Sequence, residues 1–222
     1  MTAPDTAPSP LALMRERMAV ADRELRRRLP EAGHEDDLLG LAAELLALAE
    51  DVSARLQEVA PVKPLACRAG CDHCCRNMIQ VRPLFAILAV ATAKARFTPA
   101  RMTEFIDRLV KGTPFCPFLF DGRCSIYEAR PMVCRGYYSL DLARCLAGDF
   151  CEKDLGYQGD GAHAAHQLMV FLFALEKRIE SIEAELGLEQ GLVLLDQAAR
   201  ILLARPDGAL RWLQGERVFT AP

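Results

Sequence analysis

Four cysteines fall within nine residues in the stretch Cys67-Arg-Ala-Gly-Cys71-Asp-His-Cys74-Cys75, and three more follow at Cys116, Cys124 and Cys134. No other feature constrains the fold as strongly, because any architecture has to bring these two runs together or leave seven thiols unexplained. A chain of 222 residues can bury a core without cross-links, so its nine cysteines need a chemical reason. An odd count fits a closed disulfide framework poorly. Thiolates two to four residues apart can converge on one soft or borderline ion. Gly70 relaxes the backbone between Cys67 and Cys71, while Pro117, Gly122 and Pro131 keep the second run turning as a ligand loop must.

The ligand arithmetic leaves two outcomes open. Neighbouring side chains diverge, so Cys74 and Cys75 are awkward joint ligands of one small ion. Two tetrahedral ions need eight ligand positions, which six terminal thiolates and one bridging thiolate supply. A four-iron, four-sulfur (4Fe–4S) cluster takes four cysteines and leaves three over. Zinc and iron–sulfur both remain. Cys145 and Cys151 lie outside the tight groups and read as small hydrophobes. His73 sits between two candidate ligands and is expected to point outward; the pair His163 and His166 reads as structural or exposed. Lys63, Arg68, Arg76 and Arg82 stand against Asp72 alone near the first run. Arg123, Arg130 and Arg135 outnumber Asp121 and Glu128 near the second. Cations of this kind offset a polythiolate charge and lower thiol pKa values. From position alone, Tyr127, Glu128 and Arg130 are expected to orient the ligand loops.

Around these runs the pattern is helical. Residues 1–9 read as a disordered tail. Ser9-Pro10 starts a helix to about Leu29 whose polar face carries Arg15, Arg17, Arg23, Arg26, Arg27 and Arg28, read as a solvated face. Leu38, Leu41, Leu45, Leu48, Val52, Leu56 and Val59 mark one side of a helix from about Asp36 to Val59. The two helices are expected to form an antiparallel hairpin or to pair with a second copy. Asn77–Val81 is a short apolar piece, Pro83 opens a helix to about Arg96, and Thr98-Pro99 caps another that Gly112 ends. Phe118–Phe120 and Cys124–Ile126 flank Asp121-Gly122-Arg123 as a minimal hairpin. Ser139 is expected to cap a helix to about Ala147, followed by a loop over Gly148–Gly161. Ala164–Leu186 presents Leu168, Phe171, Leu172, Leu175, Ile179, Ile182 and Leu186 on one face; Leu192–Ala204 and a piece around Trp212 complete the chain. The fold class is therefore mostly α, a helical bundle carrying a cysteine-rich loop region and one minimal β-hairpin. In domain terms, a hairpin over 10–62 precedes, or forms one continuous domain with, a cysteine-cluster helical region over 63–222, with metal loops at 63–151 and C-terminal helices at 160–214.

The run from Cys67 to Cys75, the following Cys116-Pro-Phe-Leu, the Gly-x-Cys-x-Ile-Tyr-Glu-x-Arg-Pro stretch and Cys134-Arg-Gly-Tyr together resemble the YkgJ-type cysteine-cluster family. The likeness covers residues 67–137 and implies zinc or iron chelation, with Cys67, Cys71, Cys74, Cys75, Cys116, Cys124 and Cys134 as the metal ligands. The same cluster type occurs in flagellin lysine N-methylases, which implies as alternative a metal-dependent protein-modifying enzyme acting on a protein substrate. The only nucleotide-like feature is the lone Gly159-Asp-Gly161, with no strand before it. Cys67, Cys71 and Cys74 match a radical-enzyme spacing, but the barrel repeat such enzymes need is absent.

A net charge of −3 gives no pull toward nucleic acid or an anionic membrane. No stretch reaches the ~18 apolar residues of a membrane span, and no signal peptide is visible. The sequence thus leads one to expect a cytoplasmic metal-binding protein, whether or not it is an enzyme.

Overall fold

A computed structural model describes residues 9–59, 66–136, 139, 141–147 and 162–220, without the side chains of Val59 and residues 162–165. The expectations on residues 1–8, Lys63, Tyr137, the 148–161 loop with Cys151, and the side chain of His163 lie outside the described residues.

The protein is mostly α-helical. Helix α1 (Pro10–Arg28) begins where Ser9 Oγ accepts from the Ala12 amide, with proline at its first position. Helix α2 (Glu35–Val59) returns antiparallel to it. Arg17 bonds Asp51 at 2.5 Å and Arg28 bonds Glu44 at 2.6 Å, so early residues of α1 meet late residues of α2. The arginine-rich face of α1 is thus not simply solvated: Arg26 also pairs with Glu185. Leu38, Leu41, Leu45, Val52 and Leu56 are buried as the spacing predicts, while Leu48 is only half-buried.

Helix α3 (Pro83–Arg96) is the hub. Every residue from Pro83 to Val90 is buried, the mark of a helix surrounded by others. It packs against α2 on one side and against α8 (Leu195–Ala204) on another. Helix α4 (Pro99–Lys111) is capped by the Thr98 hydroxyl, which accepts from the Arg101 amide, and ends at Gly112 with φ +77°. Helix α7 (Ala162–Glu185) lies across α1 and α2. Its buried face runs from Leu168 to Ile182; Leu186, expected on that face, is 37% exposed.

Two small antiparallel strand pairs are present among the described residues. The expected hairpin exists one residue tighter than its sequence reading. Strand β2 (Leu119–Phe120) pairs with β3 (Arg123–Cys124), Phe120 opposite Arg123, around a two-residue turn in which Asp121 and Gly122 have φ +52° and +69°. Two positive φ values make the type I′ turn whose twist matches the strands, so Arg123 belongs to the strand. The other pair was not foreseen: β1 (Gln80–Val81) pairs with β4 (Val193–Leu194) immediately before α8. A further correction concerns the helix α6 (Leu142–Leu146). Its cap is Asp141, whose carboxylate accepts from the amides of Ala143 and Arg144. Ser139 instead accepts from the Asp141 amide. Helix α5 (Met132–Gly136) starts directly after Pro131 and is a single turn. At the C-terminal end, α9 (Gly208–Leu213) buries Trp212, whose indole N–H donates to the Glu189 carbonyl oxygen at 3.0 Å. No helix among the described residues is long and apolar enough to cross a membrane.

Candidate metal centre

The first cysteine run is a loop leading into a 3-10 turn. Gly70, at φ +92°, lets the chain double back so that the Cys71 amide donates to the Arg68 carbonyl at 3.0 Å. Cys74 and Cys75 sit within the 3-10 turn His73–Arg76. The second run reaches the site from three directions: Cys116 follows α4, Cys124 lies on β3 and Cys134 on α5. The Cys116 amide donates to the Cys75 carbonyl at 2.6 Å and locks the runs together. On the opposite flank, the Ala66 amide donates to the Ser139 carbonyl, and the Ser139 amide donates to Cys67 Sγ at 3.0 Å.

All seven cysteines of the two runs line one cavity of about 310 Å³, and all seven carry free thiols. Aromatic packing holds the hairpin wall in place. Phe118 and Phe120 are buried against Phe105 and Phe97, and the Arg108 guanidinium lies 3.9 Å from the Phe120 ring centroid. Leu168 and Leu172 of α7 form part of the apolar wall. Glu50, Ser53 and Gln57 of α2 complete the lining; the sequence reading missed them. They lie at three- and four-residue steps beside the apolar stripe of α2, and that adjacency was the available signal.

The thiols are not simply activated by cations, as the local arginine count suggested. Burial pushes Cys67 up to about 11 and Cys116 up to about 12, and raises Cys124 and Cys134, with repulsion from neighbouring thiolates adding to it. Backbone amides oppose this: Ser139 donates to Cys67, Phe118 to Cys116 and Ile126 to Cys124. Amides aimed at sulfur stabilise a thiolate. Cys74 and Cys75 share a hydrogen bond that lowers Cys74 and raises Cys75. Of the arginines counted from the sequence, Arg68, Arg130 and Arg135 line the cavity. Arg76 pairs with Asp72 at 2.9 Å, and Arg82 turns away to Glu180 of α7. His73 does not line the cavity, and His166 is exposed.

As they stand, the sulfurs line the space without closing on a point. Among the described residues no three cysteine, histidine or acidic side chains are placed to hold an ion. The donor set itself suits a thiophilic metal, since soft sulfur dominates the lining. Residues 66–152 match the family model named for the CxxCxxCC pattern and described as a putative zinc- or iron-chelating domain. The match agrees with the cysteine-cluster likeness read from the spacing of the cysteines. No curated protein and no solved structure matches the chain. The CxxCxxCC segment thus ends beyond α6, and it includes Cys145, whose charge acts on Cys67.

Proposed function

We propose that this protein chelates zinc or iron through Cys67, Cys71, Cys74, Cys75, Cys116, Cys124 and Cys134. The observation that carries the reading is the convergence of these seven thiols, from runs about 40 residues apart, on one cavity. The amide-to-sulfur contacts at Cys67, Cys116 and Cys124 support thiolate ligands, because such contacts persist when the proton leaves. Binding draws the thiol side chains inward from their positions along the wall. A cavity of about 310 Å³ exceeds the space of one closed four-coordinate ion, given roughly 30 Å³ per water molecule. It accommodates two ions sharing a thiolate, or a 4Fe–4S cluster held by four of the seven. Because α2 contributes Glu50, Ser53 and Gln57 to the lining, residues 10–62 and the cysteine region are read as one continuous domain. The compartment is read as the reducing cytoplasm, where such thiols remain available to metal. The alternative of a protein-modifying enzyme resembling flagellin lysine N-methylase rests on the family resemblance alone.

The test is anaerobic purification followed by metal analysis and an absorption spectrum. A brown protein absorbing near ~400 nm identifies iron–sulfur, and a colourless zinc protein identifies zinc. Cys71→Ser is expected to lower metal content; unchanged content would remove the ligand assignment.

A further inference from the structure

We infer that Arg130 is the positioning residue that compensates the negative charge of the loaded thiolate site, held over the cavity by the Tyr127 ring and only partly offset by Glu50, which it shares with Arg135. The inference rests on the metal-chelating reading above and adds a role for a residue that is not itself a ligand.

Three arginines line the cavity, and their surroundings differ. Arg68 is exposed at the mouth, where water screens it. Arg135 is fully engaged: its Nε donates to the Arg130 carbonyl at 3.1 Å, one terminal nitrogen donates to the Glu128 carbonyl at 2.6 Å, and the other contacts Glu50. Its side chain is 6% exposed and burial lowers its pKa to about 10, so it works as a brace for the turn before α5, its donors spent on two carbonyls and on a carboxylate it shares with Arg130.

Arg130 is different. Its guanidinium carbon lies 4.0 Å from the Tyr127 ring centroid, which fixes the plane without consuming a donor. Its contact with Glu50 is long, 3.5 Å, and that carboxylate is already shared with Arg135. Its Nε is buried and has no acceptor among the described residues. A buried donor without an acceptor is destabilising, so its persistence asks for an explanation. The charge of Arg130 reaches Cys74, Cys124 and Cys134, one cysteine from each of three separate segments of the site. A tetrathiolate on a divalent ion carries net negative charge, and a 4Fe–4S cluster with four thiolates does as well. In a partly dry cavity that charge needs a fixed counter-charge. Arg130 supplies it from a rigid mount, beside the site and outside the coordination sphere.

The test compares the full chain with Arg130→Gln, which keeps a planar polar group without charge, and Arg130→Lys, which keeps the charge without the fork. Zn²⁺ affinity is measured by chelator competition, together with the Co²⁺-loaded absorption spectrum and apo-protein thermal stability. The expected result is a loss of Zn²⁺ affinity of roughly 10- to 100-fold in Arg130→Gln, substantially restored in Arg130→Lys. The Co²⁺ thiolate bands should keep their positions in both variants, since no ligand is lost. Equal affinity in wild type and Arg130→Gln overturns the inference. So does an equal loss in both variants that tracks lower apo stability, because that describes a structural brace. A wild-type chain that takes up neither Zn²⁺ nor Fe²⁺ removes the metal reading itself, and this inference with it.

Discussion

The Cys116 amide donates to the Cys75 carbonyl oxygen at 2.6 Å, so the backbone of one cysteine run is bonded directly to that of the other. The consequence is that the two runs share a wall whether or not metal is bound. Chelation then completes a site whose backbone is already arranged, leaving mainly side-chain adjustment.

That arrangement has a pH signature. Thiol pKa values raised by burial to about 11 at Cys67 and about 12 at Cys116 lie above their ordinary 9.0. The folded apo protein therefore holds protons that the unfolded chain releases. This contribution to stability is present below about 9 and is lost as pH rises through 9 to 12. Urea midpoints of the metal-free protein should fall across that window. At pH 7, metal uptake should release protons into weakly buffered solution, measurable by calorimetry in buffers of different ionisation enthalpy.

Glu183 offers a second titration, remote from the cysteines. Its carboxylate is fully buried, 3.8 Å from Arg82, and both its oxygens lack hydrogen-bond partners among the described residues. Burial raises its pKa to about 8, against the pull of Arg82. Folding stability from this group rises as pH falls from about 8 toward the ordinary 4.5. Arg82 keeps Glu180 at 2.9 Å, so Glu183→Gln should be neutral or stabilising by about 1–2 kcal/mol near pH 7. It should also flatten the pH dependence; a clear loss of stability would contradict this account.

The hairpin turn ties local backbone geometry to the site. Gly122 has φ +69°, and a methyl group there would meet open space, so Gly122→Ala tests conformation without a steric clash. The expected cost is about 1–2 kcal/mol of stability. Because β3 carries Cys124, metal affinity should weaken alongside; unchanged affinity would separate hairpin geometry from ligand placement.

Glu189 pins the C-terminal end. It accepts from the amides of Val218, Phe219 and Thr220, at 2.6, 2.9 and 2.6 Å. Glu189→Ala should cost about 1–3 kcal/mol and accelerate amide exchange at Val218 and Phe219. Protection that survives the substitution would mean the tail is held by its apolar side chains instead.

The sequence made the helices legible because their signals are local. Ser9-Pro10 and Thr98-Pro99 mark helix starts, Gly112 marks an end at φ +77°, and the three-and-four spacing of α2 and α7 marks buried faces. The seven cysteines were legible as a set because density alone sets them apart. What could not be read depends on distant pairing. β1 and β4 are two residues each and find one another 112 residues apart, from Val81 to Val193. The Glu50, Ser53 and Gln57 lining comes from a helix with no cysteine in it. The arginines misled in part, because counting charges along the chain does not reveal that Arg82 faces α7 while Arg130 faces the thiols.

The pairing of β1 with β4 also sets a schedule for synthesis. The last cysteine lining the cavity is Cys134, yet the strand leading out of the first cysteine run waits for Val193 and Leu194. A chain growing from its N-terminus therefore displays all seven thiols well before β1 has its partner or α7 and α8 have closed over the cavity. During that interval the thiols are open to oxidation and to any passing ion.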